Sequence, residues 1–133
     1  MTNSNYFIFI ISPKEWEIIR KEQLIGTDRK DIYDKIRSKD KILIYVTEIS
    51  EIDALYEVEN KIQLDKIEPK LNSLYLLKIS LIKYFEKKPD FKKIIQKLDF
   101  IKNKEKWYSH LAGVKGIKEL SLKDFTAVIK FLQ

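Results

Sequence analysis

Residues 6–11, YFIFII, set apolar and aromatic side chains in a row with no polar break. A half-wetted strand alternates polar with apolar, so an unbroken run of this kind belongs to a strand covered on both faces. The run stops at SPKE (12–15), a strong helix start. Ser12 can cap the helix, Pro13 suits its first position, and Glu15 completes a capping box. A helix of about ten residues follows, with Trp16 and Ile19 on its inner face. The chain must therefore build a buried strand and turn back at once to cover it.

Gly26 ends that region. DRKDIYDKI (28–36) reads as a second short helix, with Asp28 as a cap and Ile32 and Ile36 one turn apart. DKILIYVT (40–47) is another strand of the fully buried type. IDALYEVE (52–59) alternates, placing Ile52, Ala54, Tyr56 and Val58 on one face. NKIQLDKIEPKLN (60–72) is polar, contains a proline and reads as a long loop. SLYLLKISLIKYF (73–85) is a long strand. Pro89 and Asp90 open DFKKIIQKL, whose Phe91, Ile94, Ile95 and Leu98 fall at helical spacing. GIKELS (116–121) is a short strand. SLKDFTAVIKFL (121–132) is a helix capped by Ser121, with Leu122, Phe125, Val128, Ile129 and Leu132 inward. Strands that follow one another without a helix between them exclude a doubly wound parallel sheet. The order predicts an α+β fold, a mixed curved sheet or small β-barrel flanked by helices, in a single domain over 1–133.

The chain has no cysteine, so disulfides and thiolate metal sites are excluded. No apolar run has the roughly 20 residues a membrane-spanning helix needs. The opening run lacks a basic leader and a cleavage site, and a soluble, cytoplasmic protein with no membrane partner is expected. Charge is unevenly spread. Residues 1–66 carry 11 basic and 13 acidic side chains, whereas 67–133 carry 15 lysines against 7 acids. A lysine excess of that kind is either a footprint for phosphates or an ordinary solvated surface. All basic residues but Arg20, Arg29 and Arg37 are lysine.

Several chemistries are missing. Glycine occurs only at 26, 113 and 116, so no phosphate-cradling glycine loop can form. His110 is the sole imidazole and lacks the spacing of any hydrolase or metalloprotease motif. Asp28, Asp31 and Asp34 at helical spacing are a solvated face before they are a magnesium site. No catalytic residue, metal or cofactor is expected. One stretch stands apart: FIKNKEKWYSHLAG (100–113) sets Trp107, Tyr108 and His110 among Lys102, Lys104 and Lys106. Stacking surface beside positive charge suits a nucleobase and its phosphates.

Taken in order, YFIFIISPKEW (6–16), DKILIYV (40–46), ALYEV (54–58), LDFIKNKEKWYSHLAG (98–113) and the final amphipathic helix resemble an archaeal-type EVE domain. That family belongs to the PUA-like superfamily and is related to YTH domains. The resemblance implies a PUA-like barrel wrapped by helices, with a pocket near the end of the first strand. It implies a non-catalytic RNA- or DNA-binding module that takes a base or nucleotide, modified in many relatives, beside a basic surface. Carried onto this sequence, the pocket would draw on Ser12, Ile25, Gly26, Thr27, Tyr45, Trp107 and His110, with Lys102, Lys104 and Lys106 on phosphates. Two positions depart from the family. Ile25 stands where it places Trp, and can pack on a base but offers no π-face. Ala54 stands where it places Gly.

Several of these residues also carry a plainer role. Ser12 is a helix cap, Trp16 a core residue, Tyr45 a barrel filler, and Trp107 with His110 a lid. Two other functions stay open: an enzyme or enzyme subunit acting on a small anionic metabolite or nucleotide, and an adaptor with a vestigial pocket.

Overall fold

The computed structural model describes residues 5–27, 30–49, 51–62, 75–86 and 116–132. In chain order these form β1 (Tyr6–Ile11), α1 (Pro13–Glu22), β2 (Leu24–Thr27), α2 (Lys30–Lys35), β3 (Lys41–Val46), β4 (Glu51–Ile62), β5 (Tyr75–Tyr84), β6 (Gly116–Leu120) and α3 (Leu122–Leu132). The six strands make one mixed sheet in the order β2-β5-β4-β3-β1-β6. β1 and β3 run parallel, and the other neighbours are antiparallel.

The sheet curls into a half-barrel, and its register shows how. Ile44 lies opposite Ala54 while Tyr45 lies opposite Ile52, so Asp53 is an extra residue in β4. A second shift, between Leu55 and Tyr56, leaves Ile82 over in β5, and a third leaves Glu59 over in β4. Each bulge bends its strand and sharpens the local twist. On the concave face every strand contributes to one core: Phe7, Phe9, Ile25, Ile42, Ile44, Tyr56, Leu77 and Ile117 pack with Trp16 and Ile19 of α1 and with Ile32 of α2. α2 reaches from one side of the curl to the other. Its Tyr33 hydroxyl donates to the Leu76 carbonyl on β5 at 3.5 Å, and Lys35 lies 3.8 Å from Glu119 on β6. α3 covers the convex face, where Val128 and Leu132 pack with Ile8, Ile10, Leu43 and Tyr45. β1 and β3 are thus buried on both sides, as their unbroken apolar runs require.

Local contacts explain the element ends. The Ser12 Oγ accepts from the Glu15 N–H at 3.2 Å, and the Ser12 N–H donates back to the Glu15 carboxylate at 3.4 Å. This is the full capping box, with Pro13 at the first helical position. Gln23 closes α1 in the left-handed region at φ 55° and donates to the Ile19 carbonyl at 2.7 Å. Ser121 caps α3 by accepting from the Asp124 N–H at 3.1 Å. Asp40, fully buried, accepts from the Asn5 N–H at 2.9 Å and the Arg37 N–H at 2.8 Å, tying the starts of β1 and β3 together.

Four expectations need correction. Residues 24–27 are a strand, not merely the end of a helical region, because β5 offers an edge on which even a short segment with a glycine can pair. β4 runs on to Ile62, into what reads as loop. Ile52 does not share a face with Ala54, because the Asp53 bulge turns it into the convex-side core. Leu122 points outward and is 61% exposed, while Asp124 is buried beneath the cap. The expected helix beginning at Pro89, most of the 60–72 loop and the Asp28 cap lie outside the described residues.

Candidate functional site

The end of the sheet at which β1 passes into α1 gathers an aromatic cluster. Ser12, Trp16 and Arg20 are spaced one helical turn apart and share one line of the helix. Trp16 is buried and meets Tyr56 of β4 edge-on, with ring centroids 6.1 Å apart and planes at 84°. It meets Tyr84, the last residue of β5, at 6.3 Å and 73°. The Arg20 guanidinium sits 5.8 Å from the Trp16 ring centre. Tyr84 is 45% exposed, whereas Tyr56 is fully enclosed. Burial pushes the Tyr56 hydroxyl well above the usual tyrosine range, the neighbouring Tyr84 adds to the rise, and Arg20 opposes it. The two bulged residues Asp53 and Ile82 belong to the same end of the sheet. Chemically this is stacking surface with a cation beside it.

Ser12 is at this end, its hydroxyl engaged in the capping box, with Oγ 3.0 Å from the Glu15 carboxylate. Ile25, 1% exposed, is part of the concave core with Trp16, Ile19 and Leu77. Gly26 and Thr27 pair with Leu76 and Tyr75, so Thr27 lies at the opposite end of β5 from Tyr84. Tyr45 is buried on the convex face of the sheet. Ser12 is therefore brought together with Trp16, and Ile25, Gly26, Thr27 and Tyr45 are spread along β2 and the far face. Trp107, His110, Lys102, Lys104 and Lys106 lie outside the described residues. Sequence reasoning singled out Arg20 only as one of the three arginines, and passed over Tyr84. The spacing 12, 16, 20 offered a signal for Arg20. Nothing in the local pattern marks Tyr84, because its side depends on the bulge at Ile82.

Elsewhere, several described lysines are matched by acids, among them Lys30 with Asp34 at 2.9 Å, Lys41 with Glu57 at 2.8 Å, and Lys78 with Glu59 at 3.6 Å. Lys41 holds the Glu57 carboxyl below the usual carboxylate range. The far end of β5 carries a tyrosine pair, Tyr33 and Tyr75, at 4.9 Å, with the Lys61 ammonium 4.5 Å from the Tyr33 ring centre. This packing pins α2 to the sheet. Among the described residues, no group of His, Asp and Glu is placed to hold a metal ion, and no helix is long and apolar enough to cross a membrane. Asp34 is occupied by Lys30 on an exposed helix face.

No family model matches the chain. The solved structures it is similar to include YTH domains. The Mmi1 YTH domain solved with RNA superposes with a TM-score of 0.70 at 13% identity, over 98% of this chain and 82% of that one. The YTH domain of Zygosaccharomyces rouxii MRB1, in complex with N6-methyladenosine RNA, gives 0.66 at 11% identity, over 99% and 86%. These likenesses establish the fold. A UPF0310 protein of Pyrococcus horikoshii is 30% identical over 96% of this chain and 98% of its own length. The chain belongs to the UPF0310 family.

Proposed function

We propose that this protein is a single-domain, non-catalytic nucleic-acid-binding module of EVE type. It takes one base or nucleotide, modified rather than plain, in a pocket at the end of β1. The observation that carries the reading is the likeness of nearly the whole chain to YTH domains solved with RNA. The cluster of Trp16, Arg20 and Tyr84 at the end of β1 supports it. Trp107 and His110 would complete the pocket, and Lys102, Lys104 and Lys106 would contact phosphates, which position the strand without reading its sequence. Base selectivity would come from stacking and hydrogen bonding, and much of the affinity from salt-sensitive phosphate contacts.

The test is binding of short labelled RNA and DNA, single-stranded and duplex, with and without methylated bases, at two salt concentrations. A modified-base preference that survives high salt and is lost in Trp107→Ala is the expected result. Binding that ignores the base and collapses with salt would reduce the protein to a lysine-rich surface. One observation favours a second reading, an adaptor with a filled pocket: Ile25 lies within the packed core, where the EVE resemblance places a Trp. Absence of binding to any oligonucleotide or mononucleotide would select it.

A further inference from the structure

β2 accompanies β5 only as far as Lys78, with one more bond from the Ile79 N–H to the Gln23 carbonyl at 3.1 Å. Beyond that point β5 continues to Tyr84 with its outer edge free of any described strand. Leu81, Ile82 and Tyr84 are all substantially exposed there. Ile82 is the leftover residue of the bulge, so the strand bends locally there while Lys83 and Tyr84 stay paired with β4. Tyr84 is nevertheless held in place. It lies opposite Ala54 in the register and meets the buried Trp16 nearly at right angles. A perpendicular contact leaves at least one face of the Tyr84 ring uncovered by Trp16. Arg20 sits over the same indole.

We propose that Tyr84, with Arg20 beside it, is a second stacking subsite that takes the base next to the one held in the pocket, on a single-stranded nucleic acid. The inference rests on the nucleic-acid reading above and adds a partner geometry to it. A buttressed, half-exposed ring beside an arginine fits a base with its own phosphate. The Tyr84 side chain is peripheral to the concave core, so its truncation leaves the fold in place.

The experiment uses a short fluorescein-labelled single-stranded RNA with one central N6-methyladenosine, and versions with an abasic site at each flanking position. Binding is measured for the wild type, Tyr84→Ala, Tyr84→Phe and Arg20→Gln, each checked for an unchanged thermal melt. One abasic position beside the centre should weaken wild-type binding about tenfold, the scale of one stacked base. Tyr84→Ala should show the same loss on the intact RNA and no further loss on that abasic RNA. Tyr84→Phe should bind like the wild type, and the Arg20→Gln defect should shrink at high salt. Losses that multiply instead of merging, or a Tyr84→Ala variant that binds normally, would overturn the subsite and leave the broader reading standing. A wild type that binds neither these RNAs nor any of the RNA and DNA oligonucleotides named above overturns both. A dimer abolished by Ile82→Glu would assign the edge to a second copy and overturn the subsite.

Discussion

Single residues divide by whether they serve the fold or the proposed site at the end of β1, and Ser12, a helix cap placed at that end, lets the two be told apart. Its hydroxyl completes the capping box, so Ser12→Ala should cost about 1 kcal/mol in urea unfolding, while Ser12→Asp, which still caps, should cost little. A binding defect in Ser12→Asp at unchanged stability would then report contact with the ligand. Tyr56 offers a test of the buried end of the aromatic cluster. Its folded-state pKa is raised, so its contribution is fully present below the unfolded tyrosine pKa of about 10 and is lost as pH rises further. Tyr56→Phe should therefore flatten the alkaline limb of the stability curve, followed by thermal melts between neutral and strongly alkaline pH. Glu57 works in the opposite direction. Its pKa is lowered by Lys41, so that ion pair helps only above the unfolded carboxylate pKa and fades as pH falls.

At the scale of elements, helices declared themselves more fully than strand geometry did. The start of α1 was written in SPKE, and the burial of Trp16 and Ile19 followed from spacing alone. The long apolar strands were equally plain. The bulges were not, because IDALYEVE alternates apart from Leu55 and a bulge appears only when β4 meets β3. β2 was hidden for a related reason: a four-residue strand has too little pattern of its own and exists through its pairing with β5. In α3 the apolar stripe is wider than the surface it covers, so Leu122 is left in solvent. Leu122→Ala should accordingly shift unfolding by less than about 0.5 kcal/mol, and Leu132→Ala should cost roughly 2–5 kcal/mol, both read from chemical denaturation. Equal losses would mean that α3 is rotated on the sheet.

For the whole molecule, strands that follow one another without a helix between them were enough to foresee a curved α+β sheet with helices around it. What the sequence concealed was which side of the sheet each predicted pocket residue would take. Ile25 and Tyr45 belong to opposite faces, and Thr27 to the far end of β5, because the positions of edges and bulges are set by pairing between distant segments. Trp16 and Tyr84 meet for the same reason, although 67 residues separate them in the chain. The central claim is that a nucleic acid is bound at the end where β1 passes into α1. Its most direct test is a two-dimensional amide and indole NMR titration of the protein with a short single-stranded RNA bearing N6-methyladenosine. Saturable shifts centred on Ser12, the Trp16 indole and Tyr84 are the expected result. An unchanged spectrum, or shifts confined to Tyr33, Lys61 and Tyr75 at the opposite end, would contradict it.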